Sequence, residues 1–352
     1  MTRRKIQLVG GGTYSVSLPK EWAETRGIEP GDEVGLHTHL DGVLVIEPQD
    51  GDGLDGVPEQ VVLDADDLDA ARVQRLLIAA YAAGIDRITV RFDAGVSSAQ
   101  RHAVGSAAAE LTGMTVVDES DTAITATVPV DPAEVSIRQS VRHFLFVATS
   151  MHRDGTAAVF GETSPESVLE RTEQANRLHA LVDRHFRRSL SKLDEVDALG
   201  ITREELFRLW TASRELKRVA ESAETLAETA RDLDSPPERP LTADLRDAAQ
   251  TARNCVETAT PAVVDGGKVD PVRESIEAGE RVRGLVDDLD ARLFDEDAGD
   301  PRLTRATKAI ERTADSGTAI AEIGLRQVIS RQDCAGGDAD AIGGIRVAES
   351  TD

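Results

Sequence analysis

A helical segment that occurs twice constrains this chain more than any other feature. Glu170 to Arg188 contains Leu181-Val182-Asp183, and 104 positions later Glu274 to Arg292 contains Leu285-Val286-Asp287. Glu170/Glu274, Glu173/Glu277, Arg177/Arg281 and Arg188/Arg292 fall into the same register. A second match follows each, Leu216 to Glu228 against Ile310 to Glu322, at a shift of 94. There Arg218/Arg312, Ala220/Ala314, Ser222/Ser316, Ala227/Ala321 and Glu228/Glu322 agree. Two matches in the same order at similar spacing indicate a duplicated helical unit. The plain alternative is convergence on the Leu, Arg and Glu that any helix favours.

The surrounding sequence fits that unit. From Pro132 to about Ser330 six helices are predicted, over roughly 133–153, 164–195, 202–233, 241–264, 270–296 and 301–330. The second carries Leu178, Leu181, Val182, His185, Phe186 and Leu190, and the fifth Val282, Leu285, Val286, Leu289 and Leu293, each an apolar stripe at helical spacing. Breaks fall at Ser164-Pro165, Gly200-Ile-Thr202, Ser235-Pro236-Pro237, Gly266-Gly267 and Gly299-Asp-Pro301. This predicts two tandem three-helix bundles, 132–236 and 237–330, then a flexible tail over 331–352.

The first 131 residues read differently. Ile6, Leu8, Tyr14, Val16 and Leu18 alternate with polar or small residues, the pattern of half-buried strands around Gly10-Gly11-Gly12. Pro19 opens a short helix from Lys20 to Arg26 that Gly27 closes. Pro30-Gly31 is a turn, and Val34, Leu36 and Val43 to Ile46 form a hairpin around Asp41-Gly42. Residues 1–48 hold too few large side chains for a core of their own, so this module is expected to dimerise. His37 and His39 share a strand face, where solvated rings are a better reading than a metal site lacking two further ligands. A Gly/Asp-rich linker, 49–57, leads to a small α/β domain, 57–131. Its expected strands are 61–63, 87–92, 114–118 and 123–128; its helices are 67–84 and 97–112, the latter capped by Ser97. Asp86, Asp93 and His102 sit singly there, and the domain reads as a spacer or a ligand or dimer domain. The fold class is thus α+β multidomain.

Charge separates the front from the rest. The formal net charge is −24, and the few lysines are Lys5, Lys20, Lys192, Lys217, Lys268 and Lys308. An acidic, lysine-poor surface suits a cytoplasm of molar salt, a halophilic setting in which self-repulsion is screened. Residues 1–28, with Arg3, Arg4, Lys5, Lys20 and Arg26 against Glu21 and Glu24, are the positive exception. A polyanion is the partner such an island selects. The start, Met1 to Ile6, lacks the apolar core of a signal peptide, and no run of ~18 apolar residues exists, so a cytoplasmic protein without membrane insertion is expected. Cys255 and Cys334 lie in unrelated contexts and read as free thiols.

The segments Gly12-Thr-Tyr-Ser-Val-Ser-Leu-Pro-Lys20, Trp22 and Gly27-Ile-Glu-Pro-Gly-Asp-Glu-Val34 resemble the SpoVT/AbrB (MazE-like) swapped-hairpin DNA-binding family. That resemblance implies an interleaved homodimer whose strand and loop face touches duplex DNA. Arg3, Arg4, Lys5 and Lys20 are then candidate phosphate contacts, with Thr13, Tyr14, Ser15 and Ser17 as positioning hydroxyls. The triple glycine lacks the GxxxxGK[ST] frame of a nucleotide loop.

The helical half resembles PhoU, the phosphate-uptake regulator family built from two such bundles. Glu170 to Leu178, Leu216 to Glu228 and Ile310 to Glu322 carry the likeness. It implies partners such as the ATPase subunit of a phosphate transporter or a sensor kinase. It also implies an iron or other divalent metal held by an acidic residue, three spacers and Asp. Here the corresponding positions are Thr172/Asn176, Lys217/Glu221, Ile276/Glu280 and Glu311/Asp315, of which only the last is complete. Glu280, Glu311 and Asp315 are therefore the candidate ligands in the second bundle, against a solvated acidic face.

Together these features predict a phosphate-responsive transcription regulator. The alternative is a dimeric adaptor acting on a phosphate transporter or sensor kinase without touching DNA. An enzyme is not expected, since His143, His152, His179 and His185 lie on helices with no nucleophile motif around them.

Overall fold

The computed structural model describes residues 3–10, 12–48, 58–237, 241–266, 269–293 and 300–330. The expected linker 49–57, the tail 331–352, Gly11 and Cys334 lie outside them. Two separate antiparallel hairpins begin the chain. Strands β1 (Gln7–Val9) and β2 (Thr13–Ser15) pair Leu8 with Tyr14. Helix α1 (Lys20–Thr25) follows Pro19 and ends before Gly27, whose φ of +69° is the left-handed value a helix stop requires. Strands β3 (Val34–Thr38) and β4 (Leu44–Pro48) form the second hairpin. Among the described residues the hairpins do not pair with one another.

A four-stranded sheet comes next, in the order β5-β6-β8-β7: β5 (Gln60–Asp64), β6 (Arg87–Arg91), β7 (Thr115–Glu119) and β8 (Ala123–Thr127). Strands β5 and β6 run parallel across α2 (Ala70–Ala82), and the remaining pairs are antiparallel. The predicted cap of α3 (Ser98–Glu110) is a full capping box, Ser97 and Gln100 satisfying each other's backbone donors. Val73, Leu77, Ile88, Val90, Val104 and Ile124 form the core between sheet and helices.

The helical body begins with α4 (Ile137–Val159) after a single 3₁₀ turn. The second predicted helix is three pieces: α5 (Glu166–Leu169), α6 (Thr172–Ser189) and α7 (Leu193–Ala198). Lys192, the residue before α7, has extended backbone, and this turn redirects the chain so that α7 folds back on α6. Long helices complete the body: α8 (Arg203–Asp232), α9 (Leu241–Asp265), α10 (Val269–Leu293) and α11 (Leu303–Ser330). The duplication is visible as α6/α8 and α10/α11. The two groups of helices share hydrophobic core, however. Phe144, Met151, Leu209 and Leu216 belong to the same buried cluster as Val256, Ala259, Val263 and Ile320. At roughly 2 kcal/mol for each large apolar side chain taken from water, that continuity welds the repeats into one body. Gly317 lets α11 approach α9 closely. A Cβ there would lie 2.5 Å from Cys255 Sγ and 2.9 Å from the Val256 backbone nitrogen.

Candidate nucleic-acid interface

The front module presents its charge to solvent. Arg3, Arg4 and Lys5 are exposed in extended chain that runs into β1, and Lys20 opens α1 with only the exposed Glu24 3.5 Å away. The hairpin separates the predicted hydroxyls by strand parity. Thr13 and Ser15 face one side, opposite Val9 and Gln7, while Tyr14 shares the other side with Leu8. Ser17 is exposed beyond the strand. Thr13 and Ser15 therefore stand apart from Tyr14, which belongs to an apolar surface.

That surface is large for so small a module. Ile6 is 69 % exposed, Leu8 67 %, Tyr14 75 %, Leu36 62 % and Leu44 54 %. So many apolar side chains left in water on a unit without its own core mark surface that another chain covers.

Among the described residues, a cluster of polar contacts ties the module to the body. The tip of the second hairpin sets His39 Nδ1 2.7 Å from Asp197 Oδ2 on α7, and the Leu40 amide donates to Asp197 Oδ1 at 3.2 Å. Arg203 lies 3.9 Å from Asp41 beside it. His39 is buried, not solvated as its strand pattern suggested; alternation could not show that the tip meets α7.

Behind α7 the network continues. Glu195 accepts from Arg188 Nε at 2.9 Å and lies 2.6 Å from His185 Nδ1. Arg188 and Arg184 both reach Asp86 Oδ1, at 2.6 and 2.5 Å, and Arg184 also donates to the Tyr81 and Ile85 carbonyls at 2.9 Å. Burial pushes the Glu195 carboxyl up, but the bonds from His185 and Arg188 outweigh it and hold it below the usual range. Asp86 behaves likewise, with Arg188, Arg184 and Lys192 overcoming partial burial. Burial lowers Arg184 and raises the Tyr81 hydroxyl to about 12. Asp86 is thus not the isolated residue its sequence context implied. It joins the α/β layer to α6.

The carboxylates proposed for a metal are engaged elsewhere. Asp315 accepts from Arg283 at 3.0 Å, Glu311 from Lys308 at 2.9 Å, and Glu280 is exposed on α10. In the first repeat Lys217 holds Glu221 at 3.1 Å. Among the described residues no three His, Cys, Asp or Glu side chains gather as a metal would require. Glu280, Glu311 and Asp315 do not come together as a ligand set among the described residues, and Lys308 and Arg283 occupy the Glu311 and Asp315 carboxylates. His143 Nε2 lies 3.3 Å from the Gln174 amide and His179 Nδ1 3.1 Å from the Ser213 hydroxyl, with the Phe144 ring beside His179. No helix among the described residues is long and apolar enough to cross a membrane.

Comparison with known proteins adds to this geometry. Residues 7–53 match the family model described as antidote-toxin recognition MazE, bacterial antitoxin. No curated protein matches the chain. Among solved structures it is similar to PhoU from Pseudomonas aeruginosa, at 17 % identity and a TM-score of 0.49 over 55 % of this chain and 96 % of that one.

Proposed function

We propose that the chain is a phosphate-responsive transcription regulator that binds duplex DNA as a homodimer through residues 1–48. One observation carries this reading. The exposed cations Arg3, Arg4, Lys5 and Lys20 lie on the same small module as an uncovered apolar face of Ile6, Leu8, Tyr14, Leu36 and Leu44. A second copy that interleaves its hairpins covers the apolar residues and doubles the cationic edge. The similarity of residues 7–53 to the MazE family, and the Ser-Leu-Pro-Lys and Gly-Ile-Glu-Pro-Gly-Asp segments, support it.

The cations contact phosphates, while Thr13 and Ser15 position the hairpin. The helical body, whose repeated segments resemble PhoU, supplies the regulatory input. A phosphate-transporter ATPase subunit or a sensor kinase is the partner class this implies. A ligand or partner that prefers one arrangement of the body shifts the DNA-binding population by its differential affinity. The chain acts without chemistry of its own, from the cytoplasm.

Fluorescence anisotropy at molar potassium chloride tests the reading. Promoter fragments of phosphate-transport genes should bind more tightly than random duplexes of equal length. Equal affinity would leave the adaptor alternative, in which residues 1–48 only dimerise.

A further inference from the structure

Helices α6 and α8 run antiparallel: Trp210 Nε1 donates to Asp183 Oδ1 at 2.8 Å, and His179 Nδ1 lies 3.1 Å from the Ser213 hydroxyl. Further along the same seam they build an aromatic stack. The Phe186 and Trp210 rings lie 4.1 Å apart at 13°, and Phe207 tilts against them at 6.2 and 6.1 Å. The whole sequence holds seven Phe, two Trp and two Tyr, so three such rings in one place are a marked concentration. The stack does not close into the core. Phe207 is 53 % exposed, and Leu190, one turn beyond Phe186 at the end of α6, is 65 % exposed.

Two observations bear on what covers this patch. The first is position. Continued to the end of α6, the antiparallel register brings Leu190 to the level of Arg203, one turn before Phe207. Arg203 lies 3.9 Å from Asp41 at the tip of the second hairpin, where the neighbouring Leu40 is exposed. Leu40 and Phe207 thus flank one polar contact, and a chain that covers the hairpin arrives beside the patch.

The second is charge. Two copies of a chain of net charge −24 repel, and they approach most readily where acids and bases balance. Around the patch Arg187 meets Asp183 at 3.0 Å, Arg208 meets Glu204 at 3.1 Å and Arg203 faces Asp41. The Arg214 guanidinium lies 5.1 Å from the centre of the Trp210 ring. Four arginines against three acids, with aromatic rings at the centre, match the composition of a protein interface. No local excess of acid bars a second copy there.

We propose that Phe186, Leu190, Phe207 and Trp210 form a second dimer contact, covered by the other copy of this chain. A copy whose hairpins interleave over Leu36 and Leu44 reaches this patch with its remaining surface. Each body is then held twice, by its own hairpin tip through His39 and Asp197 and by the partner subunit directly. A rearrangement of one body is in this way passed to both front modules. The inference deepens the regulator reading and rests on its homodimer, not on its DNA binding.

Photocrosslinking of the full chain at molar potassium chloride tests it. The photoreactive analogue p-benzoylphenylalanine in place of Phe207 should give a covalent dimer on a denaturing gel. The same analogue in place of Phe146, exposed on α4, should not. Phe207→Asp combined with Leu190→Asp should raise the dimer dissociation constant by about tenfold or more. Phe146→Asp should leave it unchanged, and both variants should keep the helical circular dichroism of the parent, since the positions are exposed. Absence of a covalent dimer from position 207, or a dissociation constant unmoved by the paired substitution, overturns the proposal. If light scattering still finds a dimer in that case, the regulator reading stands without this contact; a monomeric parent chain defeats both.

Discussion

His39 Nδ1 lies 2.7 Å from Asp197 Oδ2 with its ring buried, so the tip of the second hairpin is latched to α7. Asp197 also receives the Leu40 amide, and two residues earlier on the same helix Glu195 holds His185 and Arg188. The short helix α7 thus has the front module on one side and the helical body on the other. The contacts that link them are polar and few, which makes the joint separable without unfolding either side.

Asp197→Ala removes both contacts of that carboxylate. The expected cost is about 1 kcal/mol, the scale of one backbone hydrogen bond and a partly exposed charged contact. Hydrogen exchange should accelerate across residues 34–46 and stay unchanged in α8 and α11. Protection that is unaltered in the hairpin would show that the latch contributes nothing.

Arg184→Met removes the donor of the Tyr81 and Ile85 carbonyls and one of the three cations on Asp86 while preserving most of the side-chain volume. Breaking a buried pair from one side costs roughly 3–5 kcal/mol. Urea unfolding should lose that much, with the α/β layer detaching in an earlier transition. A loss under about 1 kcal/mol would mean that Arg188 and Lys192 suffice for Asp86.

Much of this architecture is legible in the amino-acid order, for physical reasons. Strand alternation and caps such as Ser97 and Gly27 are local, and the structure places strands and helices close to their predicted bounds. What local patterns could not give is contact over distance. Asp86 meets Arg184 across 98 residues, and His39 meets Asp197 across 158, with no periodicity to announce either pair. The break between α6 and α7 was invisible because Leu190 and Leu193 continue the apolar stripe through Lys192, where the backbone turns. The spacing of Glu311 and Asp315 correctly placed both on one helix. It said nothing of Lys308 and Arg283, which neutralise them.

Acid should destabilise the chain in two steps. Burial, reinforced by the charge of Arg253, depresses the His152 imidazole to about 3. The unfolded ring titrates near 6.5, so below that pH the unfolded chain takes up a proton the folded chain refuses, and stability falls with pH towards 3. The slope approaches about 1.4 kcal/mol per pH unit for this group. Glu195 and Asp86, held below their ordinary carboxylate values, add a further loss as pH falls from those values through their folded ones. Denaturation midpoints from pH 8 to 4 should therefore decline from about pH 6.5, and His152→Gln should flatten only the upper part of that decline. A profile identical in the variant would assign the loss to other groups.

Cys255 donates its thiol to the Ser275 carbonyl at 3.0 Å beneath Gly317, and burial pushes its pKa up to about 11. A thiol so protonated and enclosed is a poor nucleophile. In a Cys334→Ser chain, Ellman's reagent should leave Cys255 unmodified under native conditions and titrate one thiol in denaturant. Rapid native labelling would place Cys255 at a surface. Gly317→Ala should have the opposite effect on the helices, driving α9 and α11 apart at a cost of about 1–3 kcal/mol.

The central claim is that two copies of the cationic module together grip duplex DNA. Light scattering on the full chain, eluted with a promoter duplex at molar potassium chloride, measures this most directly. The account predicts two chains per duplex, and loss of the complex on substituting Arg3, Arg4 and Lys5 by Ala while the free dimer persists. Elution of the duplex alone, or a complex of one chain per duplex that survives the triple substitution, would contradict it.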